Sequence, residues 1–252
     1  MTEGLAECKL EQLVNESTIS RISLRKHIDS KIAFYRGKRV FDVVVSFFVC
    51  VFCLSWLFPL IALLIKLESK GPVLFIQRRV GMGGRSFRCL KFRTMIVNSE
   101  ANIRQAQLKD RRITRLGQFL RVSNLDEFPQ FINVLVGDMS LVGPRPHMHS
   151  DCSKFSTIVP GYKFRNIVKP GITGLAQVKG YRGPTKDFAS IFHRYQFDAF
   201  YVRNANIWLD MRIIKKTAGQ TLKALINKIG GESEPRPFFQ RKWVTAIRTL
   251  LS

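Results

Sequence analysis

The run Val40-Phe-Asp-Val-Val-Val-Ser-Phe-Phe-Val-Cys-Val-Phe-Cys-Leu-Ser-Trp-Leu-Phe-Pro-Leu-Ile-Ala-Leu-Leu-Ile65 carries a single charge, Asp42. A stretch this long and apolar on every side is rare in a soluble core and is the mark of a membrane segment. Straight, it would measure roughly 39 Å, enough to cross the hydrocarbon core. Its flanks argue against crossing. Seven Lys/Arg lie between Arg21 and Arg39, and eight between Lys66 and Arg93. Such flanks belong on the cytoplasmic side, and a crossing helix would put one of them outside. A hairpin that enters and leaves by one face satisfies both. Pro59 supplies a means of bending: it lacks an N–H, so the Ser55 carbonyl four residues back loses its helical partner. Freed backbone groups at that depth need burial in protein or a side chain such as the Ser55 hydroxyl. A re-entrant helix bent at Ser55 and Pro59 is expected; a single crossing helix kinked at proline is the alternative.

Working outward, the whole chain of 252 residues has 41 Lys+Arg against 18 Asp+Glu, a formal net charge of +23. A field of that sign favours nucleic acid, an anionic membrane surface or phosphate-rich small substrates, and composition alone does not choose among them. The cysteines Cys8, Cys50, Cys53, Cys89 and Cys152 are scattered. Cys50 and Cys53 have CxxC spacing but lie inside the apolar run without a second pair or a histidine. They read as small hydrophobes rather than a metal or redox site. No disulfide framework is indicated, which fits a reducing compartment. The first forty residues are polar and increasingly basic, and no cleavable signal peptide is expected there.

Beyond the apolar run the pattern changes to period two. Val73–Val80 and Arg85–Thr94, around Gly81-Met-Gly-Gly84, read as a β-hairpin. Lys91 and Arg93 would share a face of the second strand. Side by side they suit a pyrophosphate, though a solvated edge would look the same. From Asn98 onward the chain reads as mostly helical, with loops at Gly137–Pro146 and Pro160–Thr185. Two amphipathic helices, about Ile207–Ile229 and Phe238–Leu251, either lie in a membrane interface or pack on the domain.

The stretch Arg121-Val-Ser-Asn-Leu-Asp-Glu-Phe-Pro-Gln-Phe-Ile-Asn-Val-Leu135 is the most informative. Phe128, Phe131, Ile132 and Leu135 form a helical stripe, and Pro129 belongs in a first turn, so a helix should begin near Asn124 to Phe128. Asn124 with Glu127 fits a capping box. Asp126 and Glu127 then sit at the positive end of the helix, where carboxylates stay ionised and phosphate can bind. Acidic residues there often do no more than complement the dipole. Adjacent residues diverge by about a hundred degrees, so these two cannot share a proton and suit separate roles, one attacking and one binding metal or steering. Downstream, Arg145 is held between Pro144 and Pro146, a way of aiming a guanidinium at a phosphate. Arg182 lies in the glycine-rich Lys169–Pro184 stretch, which contains no G-x-G-x-x-G or Walker pattern.

Lys91-Phe-Arg-Thr-Met95, Leu125-Asp-Glu-Phe-Pro-Gln130, Gly137-Asp-Met-Ser-Leu-Val-Gly-Pro-Arg-Pro146 and Pro170-Gly-Ile-Thr-Gly-Leu-Ala-Gln177 occur in the order seen in the bacterial sugar transferases, the monotopic phosphoglycosyl transferases, which the chain resembles from about Lys38 to Lys216. The resemblance implies an α+β, mostly helical fold: a re-entrant membrane helix joined to a cytoplasmic globular domain, with a small β-hairpin and interfacial amphipathic helices. It implies Mg2+, a UDP-sugar donor and a polyprenyl (undecaprenyl) phosphate acceptor at the bacterial inner membrane. Asp126 would be the nucleophile, with Glu127 as its partner and both near the metal. Phosphate-contacting basic residues would be Lys91, Arg121 and Arg145, with Arg93 and Arg182 added. Gly180-Tyr-Arg-Gly183 resembles the branch that uses UDP-glucose or UDP-galactose.

Three positions depart from the family pattern. Its usual Ser-Pro in the membrane helix is Ser55-Trp56 here, with Pro59 a turn later. Asn124 replaces serine or threonine, and Lys179 replaces asparagine. The long forms of the family carry extra N-terminal membrane helices, of which this chain shows none. The expected organisation is a basic segment (1–39), the re-entrant helix (40–66), the catalytic domain (67–220) and an amphipathic tail (221–252). The product would initiate a surface polysaccharide or glycan. A homo-oligomer is compatible with the sequence, and nucleic acid is not an expected partner. The rival reading is a basic membrane-tethered nucleic-acid-binding or scaffold protein without catalysis.

Overall fold

A computed structural model describes residues 31–98, 110–183 and 187–230. Two compact units are distinguished, Met1–Phe41 and Asp42–Ser252. In the first, residues 32–41 are helical. Everything that bears on the site lies in the second.

Helix α1 (Ile32–Phe48) runs through a π-helical turn (Val49–Leu54) into helix α2 (Ser55–Glu68). The stretch Ile32–Glu68 reaches a mean hydropathy of 2.7, and only 17% of its most apolar window is buried. It is long and apolar enough to cross a membrane. The break in α-helical geometry falls at Val49–Leu54, ahead of Ser55, whose N–H donates to the Cys50 carbonyl five residues back. Pro59 lies inside α2. The Ser55 hydroxyl serves the Val51 carbonyl and Trp56 Nε1 that of Phe52.

One face of α2 packs on the domain. Leu54, Ile61 and Ile65 join Phe92 and Leu120 in a buried cluster, with Phe58 5.2 Å from Phe92 between ring centroids. Fully burying each such side chain contributes about 1.5–3 kcal/mol. The lone charge of the apolar run is also buried. Asp42 accepts from Ser140 Oγ at 2.7 Å and from the Leu141 N–H at 3.2 Å. Hydrogen bonding of this kind is what makes a buried carboxylate tolerable.

The hairpin forms as the alternation predicts. Strands β1 (Leu74–Val80) and β2 (Ser86–Phe92) pair antiparallel around a tight turn at Met82–Gly84, with Leu74 opposite Phe92 and Val80 opposite Ser86. Helix α3 (Arg115–Val122) follows, capped by Thr114, whose hydroxyl accepts from the Gly117 N–H. Two stretches expected as loops contain regular structure. Strand β3 (Ser140–Val142) pairs in parallel with β4 (Gly171–Thr173), while α5 (His149–Ile158) and a 3₁₀ segment, Tyr162–Ile167, lie between them. Both strands are three residues long and glycine-flanked, too short for period two to show. A side chain at Gly171 would strike the Gly143 backbone, so these glycines permit the close approach.

The short helix α6 (Leu175–Val178) leads to α7 (Phe188–Asn204) and α8 (Ile207–Ile229). Of the two alternatives for α8, packing on the domain is seen along one face. Asp210 and Ile213 are buried, with Asp210 accepting from Tyr201, whereas Trp208, Leu222 and Ile226 are exposed. The helix expected at Phe238–Leu251 lies outside the described residues.

Candidate active site

Asp126 and Glu127 occupy a single 3₁₀ turn, Leu125–Glu127, between α3 and helix α4 (Gln130–Val136). The capping box expected of Asn124 and Glu127 does not form. Asn124 is left-handed (φ 59°), and its amide donates to Thr221 of α8 instead. Asparagine tolerates that conformation better than β-branched residues do. The dyad therefore precedes a helix of seven residues rather than opening a longer one, and the dipole contributes little. Side-chain charges dominate.

Glu127 is 4% exposed, and three cations reach it. Its Oε1 accepts from Lys91 Nζ at 2.9 Å and Arg145 Nη2 at 2.7 Å, and Arg182 Nη2 lies 3.7 Å away. Burial alone would raise its pKa. Arg145, Lys91 and Arg182 outweigh that and hold it well below the usual carboxylate range. Asp126 is 8% exposed and differs. Its Oδ1 is buried with no hydrogen-bond partner. Burial, then the neighbouring Glu127 charge, raise its pKa, against the pull of Lys91, Arg182 and Arg121. One carboxylate is thus pinned and ionised, while its neighbour is bare and more basic. A nucleophile is served by that division.

Each residue of Lys91-Phe-Arg-Thr94 has its own task. Lys91 meets Glu127 and Phe92 fills the core. Thr94 Oγ1 accepts from Arg121 Nε at 2.8 Å, orienting a guanidinium whose strongest charge partner is Asp126. Arg93 does not join them. Strand β2 ends at Phe92, and Arg93 donates to the Lys70 carbonyl at 2.6 Å and to the Ser69 carbonyl and hydroxyl at 2.7 and 3.1 Å. Both carbonyls lie just past the end of α2, where the chain leaves the helix and no helical turn satisfies them, and they draw a cation. Gly71 (φ +125°) leaves room for this guanidinium, which a side chain there would strike. The shared face expected of Lys91 and Arg93 is therefore corrected.

Arg145 owes its aim to carbonyls. Pro144 and Pro146 have no N–H to donate, so this segment is anchored through its acceptors. Pro144 O accepts from the Gly171 N–H at 3.0 Å, Arg145 O from Arg165 at 2.6 Å, Pro146 O from Arg79 at 3.2 Å and His147 O from the Val80 N–H at 2.9 Å. Four carbonyls in a row are held by four separate groups. Arg165 is itself paired with Asp198 at 2.8 Å, both side chains 2% exposed.

The dyad's fit to magnesium can be judged from its oxygens. Among the described residues no group of three or more His, Cys, Asp or Glu gathers. Magnesium needs less, one or two carboxylates completed by substrate phosphate and water. The bare Asp126 Oδ1 and Glu127 Oε2, whose contact from Arg145 is a long 3.4 Å, meet that requirement.

Residues 33–224 match the model of the bacterial sugar transferase family. The chain belongs to that family. It is similar to a UDP-glucose:undecaprenyl-phosphate glucose-1-phosphate transferase of Klebsiella pneumoniae, 44% identical over 76% of this chain and 40% of the relative. A UDP-N-acetylgalactosamine-undecaprenyl-phosphate N-acetylgalactosaminephosphotransferase of Aeromonas hydrophila is 49% identical over 62% of this chain and 37% of that protein. An exopolysaccharide production protein of Rhizobium leguminosarum bv. phaseoli is 43% identical over 70% of this chain and 90% of that protein. The chain thus spans less than half the length of the first two.

In this bacterial sugar transferase several residues at the site escaped sequence reasoning. Asn133 of α4 behaves like a piece of strand. Its Oδ1 accepts from the Leu90 N–H at 2.9 Å and its Nδ2 donates to the Arg88 carbonyl at 2.8 Å, locking the dyad's helix to the strand that carries Lys91. Arg165 and Asp198 are buried, and Arg79 half-buried, behind Arg145. The available signal was the spacing of Arg194 and Asp198, opposite charges one turn apart in a helix rich in aromatic residues.

Proposed function

We propose that this chain transfers a hexose 1-phosphate from a UDP-sugar to undecaprenyl phosphate at the cytoplasmic face of the bacterial inner membrane, in two displacements through Asp126. The observation that carries this reading is the buried, partnerless Oδ1 of Asp126 beside a Glu127 tied to Lys91, Arg145 and Arg182. The names of the similar proteins supply the substrate class, and UDP-glucose is the first donor to test. Such a product would start a surface polysaccharide.

In the first step an Asp126 oxygen bonds to the sugar-bearing phosphorus as the bond from that phosphorus to the UMP oxygen breaks, and UMP leaves. In the second, an oxygen of undecaprenyl phosphate bonds to the same phosphorus and the bond to Asp126 breaks, restoring the carboxylate. Arg145, Lys91 and Arg182 face the charge on the transferring group, and Arg121, held by Thr94, lies beside the attacking carboxylate. Asp126 and Glu127 would hold magnesium, which when bound offsets the charge of the donor's diphosphate.

The helical stretch fits a lipid acceptor. Asp42 of α1 and Ile61 and Ile65 of α2 are all fixed to one domain. If the segment between them crossed a hydrocarbon core ~30 Å thick, these anchors would lie on opposite sides. Their shared attachment supports a segment that enters and returns. The exposed Phe47, Phe48, Val51, Phe52 and Trp56 cluster around the π-turn, where its apex would be.

The test is direct. Purified chain with labelled UDP-sugar and no acceptor should release UMP and retain label on Asp126, and Asp126→Asn should do neither. Turnover with a persistently unlabelled Asp126 would refute the mechanism.

A further inference from the structure

Behind the cations that face the dyad stands a buried layer of paired side chains, two of which donate to main-chain carbonyls. Arg194 and Asp198 lie one turn apart on α7 and are 7% and 1% exposed. Asp198 holds Arg165, which donates to the Arg145 carbonyl. Arg194 Nη2 donates to the carbonyl of Gly183, the residue after Arg182, and its Nη1 lies 3.4 Å from His147 Nε2. A guanidinium can only donate, so Nε2 accepts. The His147 proton then sits on Nδ1, 2.7 Å from the Tyr162 oxygen. On the other side of Arg182, the Tyr181 ring rests 5.5 Å from that of Phe197, also on α7. Arg182 itself is exposed, on a segment whose Gly180 has φ +99°. Local backbone hydrogen bonds hold the segment as far as Tyr181, whose N–H donates to the Ala176 carbonyl at 3.0 Å, and the Arg194 contact fixes it on the far side of Arg182.

On the transferase reading above, we propose that Arg194 is a positioning residue for Arg182, as the Arg165–Asp198 pair is for Arg145, so that one face of α7 sets how the two substrate-facing arginines converge on Glu127. A buried arginine directed at a carbonyl costs desolvation that an apolar side chain would avoid. Placing Arg182 gives that cost a function.

Two measurements on the full chain in lipid nanodiscs test this. In the first, UMP release from UDP-glucose with undecaprenyl phosphate is compared for Arg182→Ala, Arg194→Met and the double variant. A misplacement of ~1 Å can cost on the order of 10²-fold, so each single change should lower kcat/KM by roughly 10- to 100-fold. The double variant should be no slower than the slower single one, because Arg194 acts through Arg182. Multiplying losses, or an Arg194→Met at the parent rate, would overturn the proposal. Should Arg194→Met fail to fold, Arg194→Gln, which stays polar but is too short to keep both the Gly183 and the His147 contacts, replaces it in the same cycle with the same criteria. In the second, amide hydrogen exchange at residues 180–183 should quicken in the Arg194 variant, and unchanged exchange would refute the positioning role whatever the reaction. A parent chain that releases no UMP from any UDP-sugar would count against the transferase reading alone.

Discussion

Asp126 and Glu127 are neighbours in sequence and opposites in electrostatics, and their pH behaviour should show it. Burial and the Glu127 charge raise the Asp126 pKa. Attack needs the ionised form, so kcat/KM should fall as pH drops through that raised value. The acid limb of the pH–rate profile is then expected above the ~3.9 of an ordinary aspartate. Glu127→Gln removes one of the raising influences, so the residual activity of that variant should show its acid limb at lower pH. A limb that stays put would mean Glu127 does not act on Asp126. Stability has the opposite sign at Glu127. Its lowered pKa contributes stability that is present above the ordinary glutamate value of ~4.3 and is lost as pH falls through the folded-state value. Thermal unfolding of the parent should therefore become easier over that acid window, and Glu127→Gln should show a flatter profile there. Asp126→Asn should cut UMP release on the order of 10⁴-fold while preserving the fold, since it removes the nucleophile and little volume.

At the scale of elements, the fold works by fastening short pieces to one another through side chains acting on backbone. Asp42 is the clearest case: a carboxylate in the apolar run that grips the start of β3 through Ser140 and the Leu141 N–H. Replacing it by alanine leaves a buried N–H unpaired and frees α1 from the domain. Asp42→Ala should cost about 2–4 kcal/mol, read as a lowered unfolding midpoint in detergent, whereas surface changes such as Lys66→Ala should not register. The same style of fastening explains what the sequence made legible. The apolar run and the β1–β2 hairpin were readable because period and length are long-range signals, and Lys91, Arg121, Arg145 and the dyad stand out in ordered motifs. Strands β3 and β4 were not readable, being three residues each and held by glycine contacts that depend on a distant partner. Arg93 was misassigned because alternation says nothing of where a strand stops, and the carbonyls of Ser69 and Lys70, just past α2, claimed it. Asn124 was misassigned because its reach to Thr221 is a tertiary contact across α8. Arg194 and Asp198 stand one turn apart on α7, but only the fold places them against the Gly183 carbonyl and Arg165.

For the whole molecule, charge and topology must agree. A formal net charge of +23 is distributed over both flanks of the apolar stretch, and the positive-inside rule applies to each flank separately. The anchors at Asp42 and at Ile61 and Ile65 belong to one domain, so on the proposed reading the stretch between them enters and leaves the bilayer by one face. The two constraints are independent, one being a bias during insertion and the other a property of the folded chain, yet both favour return over crossing. The consequence can be measured in intact cells. With the five native cysteines replaced by serine, single cysteines at Arg36 and Lys70 should both resist a thiol reagent that cannot permeate the membrane. Both should react once the cells are opened. Labelling of one but not the other from outside would mean that the stretch crosses. The clamp at Asp42 would then have to open in the membrane, and the lipid acceptor would need another route to Asp126.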